Sequence, residues 1–156
     1  MKILNIKPAE VSDSFLKTED DTYNFSSNFD KRLRLQKVVF LIERKTNDFD
    51  YPFSLYLRGP YSRELAKEYY SITDEHYPES EQPLTEESKR LAKILFEKDN
   101  LWLEIASTII MFSDSYKIEK AVLRTKEFKE EVLKAENKNP SHVDSVYEEI
   151  KTMGFL

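Results

Sequence analysis

Apolar residues recur along this chain mostly at helical spacing, with one short stretch at strand spacing. From Phe29 to about Lys45, Leu35, Val39 and Ile42 fall at i, i+4 and i+7, while Val38, Phe40 and Leu41 widen the stripe. That pattern predicts a largely buried helix, capped by Ser27 or Asn28. Thr46 to Asp50 breaks the period, and Phe53 to Leu57 alternates apolar and polar side chains in the manner of a half-buried strand. A lone strand leaves its backbone unpaired, and Ile3 to Ile6 is the candidate neighbour. Gly59-Pro60 predicts a chain reversal. Ser62 is placed to cap a helix running to about Ser71, with Leu65, Tyr69 and Ile72 on one face.

Beyond an acidic loop from Thr73 to Pro83, Thr85 is the cap of a helix whose stripe is Leu91, Ile94 and Leu95, broadened by Ala92 and Phe96. Leu101 to Phe112 is the most hydrophobic helix and is expected at the centre, with Trp102 in or near the core. Glu104, Ser107, Met111 and Asp114 share its outward face. Between Tyr116 and Glu136 the apolar positions Ile118, Ala121, Val122, Phe128 and Val132 keep helical spacing, and Thr125 is the expected division into two helices. Ser141 and Asp144 resemble a capping box for a last helix with Val143, Val146, Tyr147 and Ile150 inside. Gly154 ends it, and Phe155-Leu156 fold back onto the core. At the other end, Pro8 opens a helix through Leu16, and Thr18 to Ser27 reads as a loop. The fold class expected is mainly α: a single helical domain over residues 1–156 with one short β element, in a two- or three-stranded sheet, near the Gly-Pro turn. Residues 1–28 form an N-terminal extension to a core at 29–156.

Composition supports burial of a core, since 40% of the 156 residues are hydrophobic and 13% aromatic. Cysteine is absent, which excludes disulfides and thiolate sites. Met1 to Ile6 is too short for a signal peptide and no apolar run spans a membrane, so a cytoplasmic protein is expected. The net charge of −5 is unevenly spread: residues 31–70 sum to +4 within an otherwise acidic chain. Such a segment suits phosphate or an acidic partner, or else is a solvated helix face.

Enzymatic motifs are thin. With glycine only at 59 and 154, no phosphate-binding Gly-rich loop exists, and no serine sits in a G-x-S-x-G elbow. His76 and His142 belong to no two-histidine metal motif. Asp74, Glu75, His76 and Glu79 could in principle gather a divalent ion, but carboxylates are common in this acidic loop and ligand type is all that favours a metal there. Acid pairs Glu130-Glu131 and Glu148-Glu149 lie on expected surface helices. No catalytic residue, metal or cofactor is assigned, and a non-enzyme is expected. The turn from Arg58 to Arg63 could form an anion-binding corner from helix-start N–H groups and two arginines, or could simply reverse the chain with Tyr61 packed inside. The candidate partner-binding set is therefore Lys31, Arg32, Arg34, Arg44, Lys45, Arg58, Tyr61 and Arg63, with Gly59, Pro60 and Ser62 as turn and cap.

Leu35-Gln36-Lys37 with hydrophobics after it, then Gly59-Pro60-Tyr61-Ser62 and Glu64-Leu65, resembles the YwgA-like family of bacterial and archaeal proteins. It is similar also to the related Panacea domain of SocA-like antitoxins. Leu103 to Ile110 resembles that family's central helix and Gly154-Phe155-Leu156 the end of its last one, so the resemblance covers roughly residues 29–156. The Leu57-Arg58 pair before the glycine and the short acidic loop after Ile72 depart from the pattern. The resemblance implies a non-enzymatic regulator, antitoxin- or adaptor-like, that binds a toxin or other protein effector directly. The alternative is a winged-helix transcription regulator with Lys31, Arg32, Arg34, Arg44 and Lys45 touching phosphate, whose duplex binding weakens when Arg32, Arg34 and Arg63 become Ala, although the helix after Ser62 mixes acids with its bases.

Overall fold

A computed structural model describes residues 28–71 and 84–156. The expectations for Ile3 to Ile6, Pro8 to Leu16, Thr18 to Ser27, Ile72, the acidic loop and the Asp74–Glu79 set lie outside the described residues. Among the described residues the chain forms α1 (Phe29–Thr46), β1 (Ser54–Tyr56), β2 (Gly59–Tyr61), α2 (Arg63–Ser71), α3 (Glu86–Phe96), α4 (Asn100–Phe112), α5 (Ile118–Phe128), α6 (Glu130–Ala135) and α7 (Ser141–Thr152). The mainly helical class with a short β element is what the spacing predicts.

Asn28 starts α1, its side chain accepting from the Lys31 N–H at 3.0 Å. The helix ends at Asn47 in the left-handed region, φ 56°, with its N–H returned to Glu43. Leu35, Val38, Val39, Leu41 and Ile42 are all fully buried because α2, α3, α4 and β2 pack around α1. Each such aliphatic side chain contributes about 1.5–3 kcal/mol by leaving water.

β1 and β2 make an antiparallel hairpin with Tyr56 opposite Gly59. The reversal therefore falls at Leu57-Arg58, two residues before the predicted Gly59-Pro60, and Gly59 with φ +104° completes it from inside β2. Proline is tolerated there because the carbonyl, not the missing N–H, is the group in use. The strand expected over Phe53 to Leu57 is shorter, and all three of its side chains are exposed rather than alternating. Its neighbour is β2.

Ser62 caps α2, accepting from the Leu65 N–H, and Thr85 caps α3, accepting from Ser88. Leu91, Ala92 and Leu95 face the core, but Ile94 is turned out. Asp99 caps α4, the central helix, which packs against α1, β2, α5 and α7 through Leu103, Ile105, Ala106 and Ile109. Trp102 is buried as predicted. Helices α5 and α6 divide at Lys129 rather than at Thr125, which is buried within α5 and donates to the Ala121 carbonyl. Phe128 at that division is partly exposed. The predicted capping box at Ser141 is not formed: Asn139 accepts from the Ser141 N–H, and Asp144 pairs with Lys126 on α5. Gly154, at φ +78°, ends the α7 segment, and the Phe155 N–H returns to Ile150 at 3.0 Å. Phe155 packs on the core while Leu156 is exposed. No helix among the described residues is long and apolar enough to cross a membrane.

Candidate functional site: a cation-rich aromatic groove

The paired sequence motifs meet in space. Gln36 on α1 accepts the Ser62 N–H on Oε1 at 2.8 Å and donates through Nε2 to the Ser62 carbonyl at 2.9 Å. Lys37, the next residue, donates to the Pro60 carbonyl at 2.8 Å. Two consecutive side chains thus serve the side of β2 that faces away from β1, much as a third strand would. Gly59 is required by contact as well as by φ, since a Cβ there would lie 2.7 Å from Thr108 Oγ1 on α4.

Glu104 corrects the expected outward face of α4. It is 1% exposed, and Ser107 beside it is also buried. Arg58, at the hairpin tip, donates from Nε at 2.7 Å and from Nη2 at 2.9 Å to the two Glu104 oxygens. Lys129, only 2% exposed at the α5–α6 division, lies 3.2 Å from Oε1. Burial alone would push Glu104 up, but Arg58 and Lys129 overcome it and hold the carboxyl below its ordinary value. The lysines fare differently. Burial, reinforced by the Lys129 charge, pushes Lys37 down to about 7, and burial outweighs Glu104 in lowering Lys129. Arg58 is raised by its bonds to Glu104.

Beside this cluster a groove of about 370 Å³ opens between α1, the hairpin and α2. Phe29, Arg32, Tyr56, Leu57, Tyr69 and Tyr70 line it together with Lys37 and Arg58. Its rim is apolar and exposed: Leu57 stands 78% exposed and Tyr56 61%, with Phe29 and Tyr70 also exposed. Arg32 and Arg58 both lie over the Phe29 ring, at 5.7 and 5.6 Å. Burial raises the Tyr69 hydroxyl to about 12, so it is neutral and accepts from Gln36.

Of the residues expected to face a partner, Arg32, Arg58 and Tyr61 gather at this groove. The others do not. Arg34 donates to Asn100 at 2.8 Å and to the Phe96 carbonyl at 2.6 Å, tying α1 to the α3–α4 junction. Arg44 is bidentate with Asp114. Lys45 donates to the Met153 and Gly154 carbonyls at 3.1 and 2.7 Å, where the end of α7 offers unpaired acceptors. Lys31 is half-buried in the first turn of α1. Arg63 is exposed in the first turn of α2 and lines a separate hollow with Pro52, Phe53 and Glu64. The anticipated anion corner is filled from within the chain, since the Ser62 N–H goes to Gln36 and the Arg58 guanidinium to Glu104.

Gln36, Lys37, Glu104 and Lys129 are the site residues that spacing did not reveal. The adjacent Gln-Lys inside an apolar helix was their one visible signal. Among the described residues no group of three His, Cys, Asp or Glu could hold a metal ion. The acid pairs Glu130-Glu131 and Glu148-Glu149 are exposed. No family model, curated protein or solved structure matches this chain.

Proposed function

We propose that the chain is a non-enzymatic regulator, antitoxin- or adaptor-like, that holds a protein partner on the groove between α1, the hairpin and α2. One observation carries the reading: the exposed large apolar side chains Phe29, Tyr56, Leu57 and Tyr70 converge on a single concavity flanked by arginines. Aromatic residues and arginine are the side chains that anchor protein interfaces, and an apolar rim of this kind is costly to leave in water. The resemblance of the Gln36-Lys37 and Gly59-Pro60 motifs to the YwgA-like and Panacea proteins points the same way. The duplex-binding alternative has weaker support, because Arg34 is committed to Asn100 and Phe96 and so is turned away from any phosphate.

The test is co-purification from the native host with the wild-type chain and with a Tyr56→Asp/Leu57→Asp variant. Both substituted side chains are exposed, so the variant should fold. A protein retained by the wild type and lost from the variant supports the proposal; one retained equally by both contradicts it.

A further inference from the structure

Among the described residues the cations of the cluster are unequally paired. Both oxygens of the Glu104 carboxylate are taken by Arg58, with Lys129 on one of them, and the more distant Asp30 and Glu136 also act on Arg58. Lys37 is 2% exposed and lines the groove, yet among the described residues its ammonium donates only to the neutral Pro60 carbonyl. An ammonium carries three donors. Among the described residues no carboxylate lies within ion-pair distance of it. A buried cation with unspent donors beside an aromatic concavity matches a ligand that is anionic at one end and apolar at the other.

Resting on the partner-binding reading above, we infer that the groove receives an acidic side chain: a partner segment in which Asp or Glu neighbours a large apolar residue sets its carboxylate against Lys37. The apolar neighbour then lies among Phe29, Tyr56 and Tyr70. A peptide rather than a small carboxylate is the occupant because apolar surface continues past the groove. Leu55 on β1 is exposed outside it, and the outer edge of β1 carries no strand among the described residues. The added carboxylate would supply the counter-ion that Lys37 lacks.

Binding then takes up a proton. Facing Lys37 are Arg58 from the hairpin, Glu104 from α4 and Lys129 from the α5–α6 division; Arg32, Tyr56, Tyr61, Tyr69 and Tyr70 line the adjoining groove. Lys37, pushed down to about 7 by burial and by Lys129, is the group whose charge changes near neutrality. A ligand carboxylate raises it again, so affinity falls as pH rises through about 7.

The probe is a displayed random peptide library of about twelve residues, selected on the wild-type chain at about pH 6. A selected peptide and its Glu→Gln or Asp→Asn counterpart are then titrated by calorimetry. Enriched peptides are expected to carry an acid beside an aromatic or aliphatic residue. Removing that carboxylate should weaken binding about tenfold or more. Moving the wild-type chain from about pH 6 to about pH 8 should also weaken it about tenfold, an effect that shrinks in Lys37→Met. The pH comparison on the wild type needs no variant to fold. Peptides that compete at the groove and are lost from Tyr56→Asp/Leu57→Asp, but bind equally without their acid or without pH dependence, overturn the acidic-ligand inference and leave the groove reading standing. No enriched peptide, or peptides indifferent to that groove variant, overturn both.

Discussion

The side-chain amide of Gln36 occupies both backbone hydrogen-bonding groups of Ser62, accepting from the N–H at 2.8 Å and donating to the carbonyl at 2.9 Å. The bond pair fixes where the hairpin meets α1 and where α2 begins, since Ser62 is also the α2 cap. Gln36→Ala leaves the buried Ser62 N–H without a partner, while the Ser62 carbonyl keeps the Ala66 N–H at 3.1 Å, at a cost of about 1–3 kcal/mol. Urea unfolding of the two proteins measures it. A loss below about 1 kcal/mol would mean that the clamp is dispensable.

Glu104→Gln removes the carboxylate that, among the described residues, pairs with both Arg58 and Lys129. The Lys129 pair is fully buried, so breaking it is expected to cost about 3–5 kcal/mol near neutral pH. Arg58 is half exposed and adds little, because solvent screens it. The cost should shrink as pH rises and Lys37 and Lys129 shed their protons. Unfolding curves at neutral and alkaline pH check this, and a cost independent of pH would argue against a charge origin.

Stability itself should climb with alkalinity. Lys37 titrates at about 7 in the folded chain and at the ordinary 10.5 when unfolded, so between those values the unfolded state holds more protons. A group lowered in this way destabilises the fold fully below about 7 and progressively less above it. Lys129, also lowered, acts with the same sign. Glu104 has the opposite logic: held low, it stabilises the fold above the carboxylate range and loses that contribution in acid. The urea midpoint is expected to rise from about pH 7 to about pH 9, with a flatter rise in Lys37→Met. A midpoint that falls across this window contradicts the assignment.

Gly59→Ala meets two obstacles, a φ of +104° and a Cβ 2.7 Å from Thr108 Oγ1. The backbone alone should cost about 1–3 kcal/mol. Thr108→Ala in the same chain should recover the contact part and leave the backbone part. Thermal unfolding of the single and double variants separates them; full recovery would show that φ is not the constraint.

Local signals were readable in the sequence where local physics decides. The caps at Asn28, Ser62 and Thr85 and the buried faces of α1 and α7 follow from side-chain type and spacing alone. Glu104 was misread for a physical reason: on a helix covered on most sides, one acid at a polar spacing looks solvated unless its counter-ions are known. Those counter-ions come from Arg58 and Lys129, 46 and 25 residues away. The intramolecular partners of Arg34, Arg44 and Lys45 were hidden in the same manner, since a basic run on a helix carries no mark of the carbonyls and carboxylates that tertiary packing brings to it. The hairpin was half legible. Alternation at Phe53 to Leu57 marked a strand, but only β2 pairing shows that its side chains stay outside.

Backbone hydrogen exchange of the chain with and without its co-purified partner tests the docking face most directly. Slowed exchange is predicted at Phe29 to Leu33, Leu55 to Tyr61 and Tyr69-Tyr70, with the α5–α7 surface around Leu123 and Tyr147 unchanged. Protection confined to that α5–α7 surface, with the groove exchanging as in the free chain, would contradict the account.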